Sequence, residues 1–240
     1  MKRLCSVCVR GGSKGVLNKN IRPLSGKPLL IHSLDQARES GLFNCIVVSS
    51  DSNEILQLSE EWGVDHLIER PEELATDYAA KLPVIQHCFL TAETLSGMTF
   101  DIAVDLDATS PLRNQDDLKG VVDLLESHDS TTNVITGTTA RRSPYFNLVE
   151  LDEIGRVYLS GKRQNDVKAI VRRQDAPQCY DMNASIYAWW RESLLNTTDH
   201  VIQFGTRLYL MPEERSVDID SELDFSWVEF LMNDEQKSAQ

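Results

Sequence analysis

The sequence reads as an α/β protein, a mostly parallel sheet with helices on both faces. Three observations lead there. Short apolar runs alternate with helix-like stretches through the first 140 residues, which is the signature of strand–helix–strand units. The chain has 240 residues, enough for one large α/β domain with a substantial core. Its 41% hydrophobic and 25% charged residues are ordinary for a folded globular chain.

In order, residues 4–9 read as a strand and 29–40 as a helix begun by Pro28. Residues 46–50 form the next strand, followed by a helix over 53–62 with Ser52 as N-cap. A short strand at 66–69 leads to a long helix over 79–95, for which Thr76 and Asp77 suit the N-cap. A strand at 102–106, a helix over 116–127 and a strand at 133–138 close the series. The pattern then breaks. Residues 141–178 are polar, basic in places and turn-rich, an excursion from the sheet such as a β-arm or lid. Strand character resumes at 186–190 and 207–211. A terminal helix over 222–232 precedes a frayed tail. The organisation expected is a single unit over 1–240 with the inserted excursion at 141–178.

A net charge of −13 repels a phosphate backbone and argues against a nucleic-acid binder. Phosphate binding would have to be local, through backbone N–H groups, a few basic side chains and metal. No run of 18 apolar residues occurs, so no membrane span is expected. The five cysteines, at 5, 8, 45, 88 and 179, lack zinc-site spacing. Cys5 and Cys8 lie three apart on a strand and point to opposite faces. Reduced thiols and no signal-peptide pattern point to a cytoplasmic protein.

The chemistry-bearing motifs sit where strands end, the edge at which open α/β sheets bind ligands. Arg10-Gly11-Gly12-Ser13-Lys14-Gly15, then Asn18-Lys19-Asn20, follows the first strand. Its glycines allow close approach to a ligand and its N–H groups and basic side chains suit phosphates; the alternative is a solvated Gly-rich turn. Asp218-Ile219-Asp220 places two carboxylates on one side of an extended segment. A hard divalent ion would relieve their repulsion; alternatively Asp220 or Ser221 only caps the terminal helix. Thr109-Ser110-Pro111-Leu112-Arg113 follows Asp105 and Asp107, a second source of metal ligands, and Arg113 is open as a structural ion-pair partner. Arg70-Pro71 with Leu74–Asp77 ends another strand, where Arg70 could reach a phosphate or a base.

Taken in order, these motifs resemble the CMP-nonulosonate synthetases, or acylneuraminate cytidylyltransferases. The resemblance runs from about Cys8 to about Phe230. It rests on Arg10–Gly15 with Lys19-Asn20, Ser50-Asp51, Arg70-Pro71 with Leu74–Asp77, Thr109–Arg113, Pro177-Gln178 through Asn183 to Ile186-Tyr187, and Ser216–Asp220. It implies a Rossmann-like fold, a homodimer, and reaction of CTP with a nine-carbon α-keto acid sugar to give the CMP-sugar and pyrophosphate. Carried over, Arg10 and the loop Gly11, Gly12, Ser13, Lys14, Gly15 hold the triphosphate, and Lys19 neutralises charge at the α-phosphate. Asn20, Ser50 and Arg70 lie near cytosine and ribose. Asp218 and Asp220 hold Mg2+, or Mn2+ in its place. Arg173, Gln178 and Asn183 line the sugar side, as do Asp107, Thr109 and Ser110. Synthetases for N-acetylneuraminic acid commonly carry Gln-Pro where this chain has Asp107-Ala108, and Arg-Pro-Asn-Gly-Ala where it has Asp181–Ser185. Both departures are similar to the legionaminic-acid branch. An ionised Asp107 accepts hydrogen bonds without donating them, so a sugar with an extra N–H at C7 is the expected substrate. Asp107 also stays open as a metal ligand or general base.

Two other classes fit parts of the pattern. A metal-dependent glycosyltransferase would explain Asp-x-Asp and the sheet, but not the basic Gly-rich loop after the first strand. A non-catalytic nucleotide-binding protein on the same fold would retain the loop without turnover.

Overall fold

The computed structural model describes residues 1–12, 15–76, 78–161, 172–198 and 200–238. Strands β1 (Arg3–Cys8), β4 (Cys45–Ser50), β5 (His66–Glu69), β6 (Ile102–Leu106), β7 (Asn133–Thr139), β10 (Tyr180–Trp190) and β11 (Thr206–Leu210) form one sheet in the order β11-β7-β10-β6-β1-β4-β5. All its pairings are parallel except those of β10, which runs antiparallel to both β6 and β7. Two two-stranded ladders stand apart: β2 (Pro23–Leu24) with β3 (Lys27–Pro28), and β8 (Val149–Leu151) with β9 (Val157–Leu159).

Period-two alternation along the strands builds a separate core on each face. Cys5 and Val7 of β1, Ile46 and Val48 of β4, and Val104 of β6 pack under α1 (Leu29–Ser40), α2 (Asn53–Trp62) and α4 (Gln115–Glu126). Leu4, Cys45, Val47 and Ala103 face the other way, under α3 (Lys81–Ser96) and α5 (Arg191–Asn196). Cys8 packs on that second face, opposite Cys5 as expected. All five cysteines are free. Among the described residues no helix is long and apolar enough to cross a membrane.

Most elements fall within a residue or two of their predicted ends, and four depart from them. Helix α3 starts at Lys81 with Ala80 as N-cap, so Thr76 is not its cap; Asp77 lies outside the described residues. Pro83, in the first turn, needs no N–H donor there and permits this late start. Strand β10 begins at Tyr180, six residues before the predicted 186, because it pairs with β7 as far back as Thr139. Its register shifts between Met182 and Tyr187, where Ala184 adopts a left-handed φ of 54°. That bulge breaks the alternation from which a strand is read. Helix α5 was not expected at all. The terminal helix α6 runs Glu222–Ser238, past the predicted end at 232.

A third core cluster positions the site. Val16, Leu24, Leu29, Leu112, Ile219, Phe225 and Val228 are buried together. They join the Gly-rich loop, the β2–β3 turn, the loop after β6 and the start of α6 over the carboxyl ends of β1 and β6.

Candidate active site

The loop after β1 is held at both ends. The Val9 N–H donates to the Ser49 carbonyl at 3.0 Å, and the Gly11 N–H donates to Asp51 Oδ1 at 2.9 Å. At Gly15 an added Cβ would sit 2.0 Å from the Asp220 carbonyl oxygen, so only glycine lets the loop lie against that segment. Ser13 and Lys14, between them, lie outside the described residues. Beyond Val16 the chain makes a short helical turn, Lys19–Ile21. Its buried Asn20 donates from its amide to the Arg10 carbonyl at 3.0 Å, bracing the loop from inside. The Lys19 ammonium donates to the Ile219 carbonyl and lies 3.5 Å from Asp220 Oδ1.

The segment carrying Asp218 and Asp220 is pinned through the residue between them. Ile219 is fully buried in the third cluster and its N–H donates to the Thr109 carbonyl at 3.0 Å. With that side chain inward, the two carboxylates are left on the other side together. Upstream, Arg215 forms two 2.9 Å hydrogen bonds to the fully buried Asp117. Downstream, Ser221 caps α6: its hydroxyl accepts from the Asp224 N–H, and Asp224 accepts from the Ser221 N–H at 2.8 Å. The capping role falls to Ser221, leaving Asp220 exposed beside Lys19. Asp218 is different. Its Oδ1 is buried with no hydrogen-bond partner. Burial raises its carboxyl above the ordinary range, and Asp107 and Asp220 add to the rise against Thr109 and Lys19.

The end of β6 supplies the opposite wall. Arg113 is 2% exposed and donates to the Asp107 carbonyl at 2.7 Å, to the Ser185 carbonyl at 3.0 Å and to the Ser33 hydroxyl. Burial brings its guanidinium down to about 10. It is the internal clamp of this loop. Asp107 is held from behind. Its Oδ1 accepts from the Thr109 N–H at 3.1 Å and hydroxyl at 2.8 Å, and its Oδ2 from the Lys81 ammonium at 2.7 Å. Despite burial, this ammonium holds the Asp107 carboxyl well below the ordinary range. Both oxygens thus have donors within the chain, and the remaining lone-pair capacity of the carboxylate is what it has to offer a sugar N–H. Asp105, 1% exposed, accepts from the Ser6 hydroxyl at 2.7 Å and lies 3.5 Å from Lys81. Burial raises its carboxyl, so it stays in the core.

These pieces enclose a cavity of about 330 Å³ lined by Arg10, Gly15, Lys19, Asn20, Asp107, Thr109 and Asp220, with Cys8 and Val9 at its base. Of the other expected site residues, Ser50 is fully buried and its hydroxyl accepts from the Ser52 N–H. Arg70 is 7% exposed and donates to the Ser49 carbonyl at 2.8 Å. Both brace the edge of β4 and lie behind the cavity wall, as does buried Ser110. Arg173 and Gln178 line a separate cavity of about 340 Å³ with Arg142 and Ser143, and Arg173 donates to the Arg141 carbonyl. Asn183, buried in the β10 bulge, accepts from the Ser185 N–H. Within one chain these three do not join the first cavity. Lys81 escaped the sequence reading. Its only signal was a lysine opening the long helix right after Leu74–Asp77, at the carboxyl edge.

A family model described as cytidylyltransferase matches residues 5–237. The chain belongs to the cytidylyltransferase family. A Campylobacter jejuni protein named CMP-N,N'-diacetyllegionaminic acid synthase is 44% identical over 230 residues, covering 96% of this chain and 94% of that protein. A Campylobacter coli protein named post-translational flagellin modification protein B is 42% identical over 236 residues, 98% of this chain and 97% of that one. These relatives place the cytidylyltransferase among the CMP-nonulosonate synthetases, enzymes that use CTP. A solved CMP:2-keto-3-deoxy-manno-octonic acid synthetase complexed with CTP superposes with a TM-score of 0.69 at 15% identity, over 98% of this chain and 100% of that one. At that identity the likeness concerns the fold, which is Rossmann-like as the resemblance implied.

Proposed function

We propose that this cytidylyltransferase transfers CMP from CTP to the anomeric hydroxyl of a nonulosonic acid, of legionaminic rather than N-acetylneuraminic type, and releases pyrophosphate. The observation that carries the reading is the cavity itself, where Lys19 and Arg10 meet the Asp218–Asp220 segment at the carboxyl edge of the sheet. In an in-line displacement, charge builds on the α-phosphoryl oxygens, so positioning and electrostatics carry the catalysis. Lys19, tethered to the Ile219 carbonyl, is the fixed positive charge on the cavity wall. Arg10 and the glycine loop take the remaining phosphates. Asp107 is paired with the Lys81 ammonium at 2.7 Å, a contact that opposes a role for it as general base.

Asp218 and Asp220 are the residues that would hold Mg2+ or Mn2+. The unpartnered buried Oδ1 of Asp218 and its raised carboxyl fit a cation, which would supply both the missing ligand and the missing charge. Among the described residues no three His, Cys, Asp or Glu side chains converge on one point, so the nucleotide and water would complete the coordination. Bound there, the ion stabilises developing phosphoryl charge.

The legionaminic preference is supported by the Campylobacter jejuni relative named for that sugar and by Asp107-Ala108 in place of Gln-Pro. A cytoplasmic homodimer completes the reading, with the arm at the subunit contact and Arg173 and Gln178 reaching a sugar site beside it. The decisive experiment is pyrophosphate release from CTP across a panel of nonulosonic acids. The expected result is a higher kcat/KM for a 5,7-diamido sugar than for N-acetylneuraminic acid. Equal constants would remove the preference, and no release with any acceptor would remove the activity.

A further inference from the structure

Lys81 places an ammonium between two carboxylates at the cavity wall. Its ammonium lies 2.7 Å from Asp107 Oδ2, 3.5 Å from Asp105 Oδ2 and 4.6 Å from the centre of the Tyr187 ring. Asp107 forms part of the cavity wall and Asp105 lies under it. Asp218 adds a third carboxylate close enough to act on Asp107's side of the site. Arg113 also faces this group, but its guanidinium donates to the Asp107 backbone carbonyl rather than to the carboxylate. Thus Lys81 balances the charge of the Asp107 carboxylate and, with Thr109 on the other oxygen, fixes its direction.

We propose that Lys81 is a positioning residue for the acceptor. By pairing with Asp107 it presents a fixed, charge-balanced wall to the second substrate, and so sets the acceptor KM without touching the acceptor. Arg10, Gly15, Lys19 and Asn20, of the loop after β1 and its helical turn, line the same cavity, and in the proposed function they take the nucleotide. The two substrates should therefore respond differently to loss of Lys81. An acceptor that is itself an anion meets a bare carboxylate once the ammonium is gone, and like charges brought together in a closed site disfavour binding. This inference rests on the proposed cytidylyl transfer to a nonulosonic acid.

The test is steady-state kinetics on the full chain with CTP and the best acceptor of the panel. Lys81→Met should raise the acceptor KM by roughly tenfold or more, the scale expected for unbalancing a buried charged pair, with the KM for CTP within about twofold of wild type. Lys81→Arg should recover most of the loss, because it restores the cation. Adding Asp107→Asn to Lys81→Met should also recover part of it, because it removes the uncompensated charge. Parallel rises in both KM values, or no recovery in the double variant, would overturn the proposal. Failure of the functional reading is separable: it shows in wild type, as no pyrophosphate release with any acceptor. The pairing can also be read without substrate, by a double-mutant cycle of the same two substitutions in thermal unfolding. Additive effects there would overturn the proposal, and coupling supports it.

Discussion

The Lys19–Asp220 edge and the described part of the arm, residues 141–161 and 172–178, differ in what holds them in place. At the edge, seven buried apolar side chains from four separate stretches lock together, and Lys19 and Asn20 are aimed by hydrogen bonds to backbone carbonyls. On the arm, the β8–β9 ladder leaves Leu151, Ile154 and Val157 exposed by 65%, 76% and 66%. Its cavity around Arg173 shares no residue with the first. In the proposed function the first region takes the nucleotide and the second, with its uncovered apolar surface, meets a second copy of the chain. The expected outcomes below press on that contrast.

The largest effect should come from removing divalent metal. EDTA is expected to abolish pyrophosphate release and Mg2+ or Mn2+ to restore it, because two carboxylates and a triphosphate need a cation between them. Full turnover in EDTA would remove the metal from the edge altogether.

Next is Lys19→Ala. Loss of a fixed charge at a developing anion commonly lowers kcat on the order of 100-fold or more, and the melting temperature should change little. An unchanged kcat would put Lys19 outside the chemistry.

Gly15→Ala tests the packing of the edge. The new methyl cannot coexist with the Asp220 carbonyl 2.0 Å away, so the loop and the Asp218–Asp220 segment must separate. Displacements of about an ångström cost roughly 10- to 100-fold in kcat/KM. A variant with wild-type kinetics would show that the two need not touch.

On the arm, Arg173→Ala should raise the acceptor KM by about tenfold, the scale of one charged hydrogen bond, and leave the KM for CTP alone. The chain should sediment as a dimer at working concentration. A fully active monomer, or an Arg173 effect on CTP instead, would erase the contrast between the halves.

The smallest effect is on stability. Because burial raises the Asp218 carboxyl, its contribution is fully present below the ordinary carboxylate value and is lost as pH climbs from there through the raised value. In EDTA at neutral pH, Asp218→Asn should therefore melt higher than wild type, and the difference should vanish in acid. An equal or lower melting temperature at neutral pH would contradict the raised carboxyl.

Much of this was legible before any coordinates. The apolar runs of β1, β4 and β6 and the cap Ser52 are local, and local patterns survive folding. The Asp-x-Asp pair was legible for the same reason, since its shared side follows from extended geometry and a buried Ile219. The β10 bulge was not, because its left-handed Ala184 breaks the period. That Arg70 donates to the Ser49 carbonyl was not legible either, because the contact depends on a neighbour 21 residues away.

Composition, periodicity and ordered motifs were enough to establish the α/β class, the family resemblance and which residues reach the carboxyl edge. Only the folded chain decided which of them meet. Lys81 and Asp107 are 26 residues apart in sequence, Lys19 and Ile219 are 200 apart, and no one-dimensional pattern encodes such distances. Whether a carboxylate is a free acceptor, half of an ion pair or an unpartnered buried oxygen depends on the charges and the solvent packed around it. Those come from tertiary packing, and they separate Asp107 from Asp218, two aspartates that look alike in the sequence.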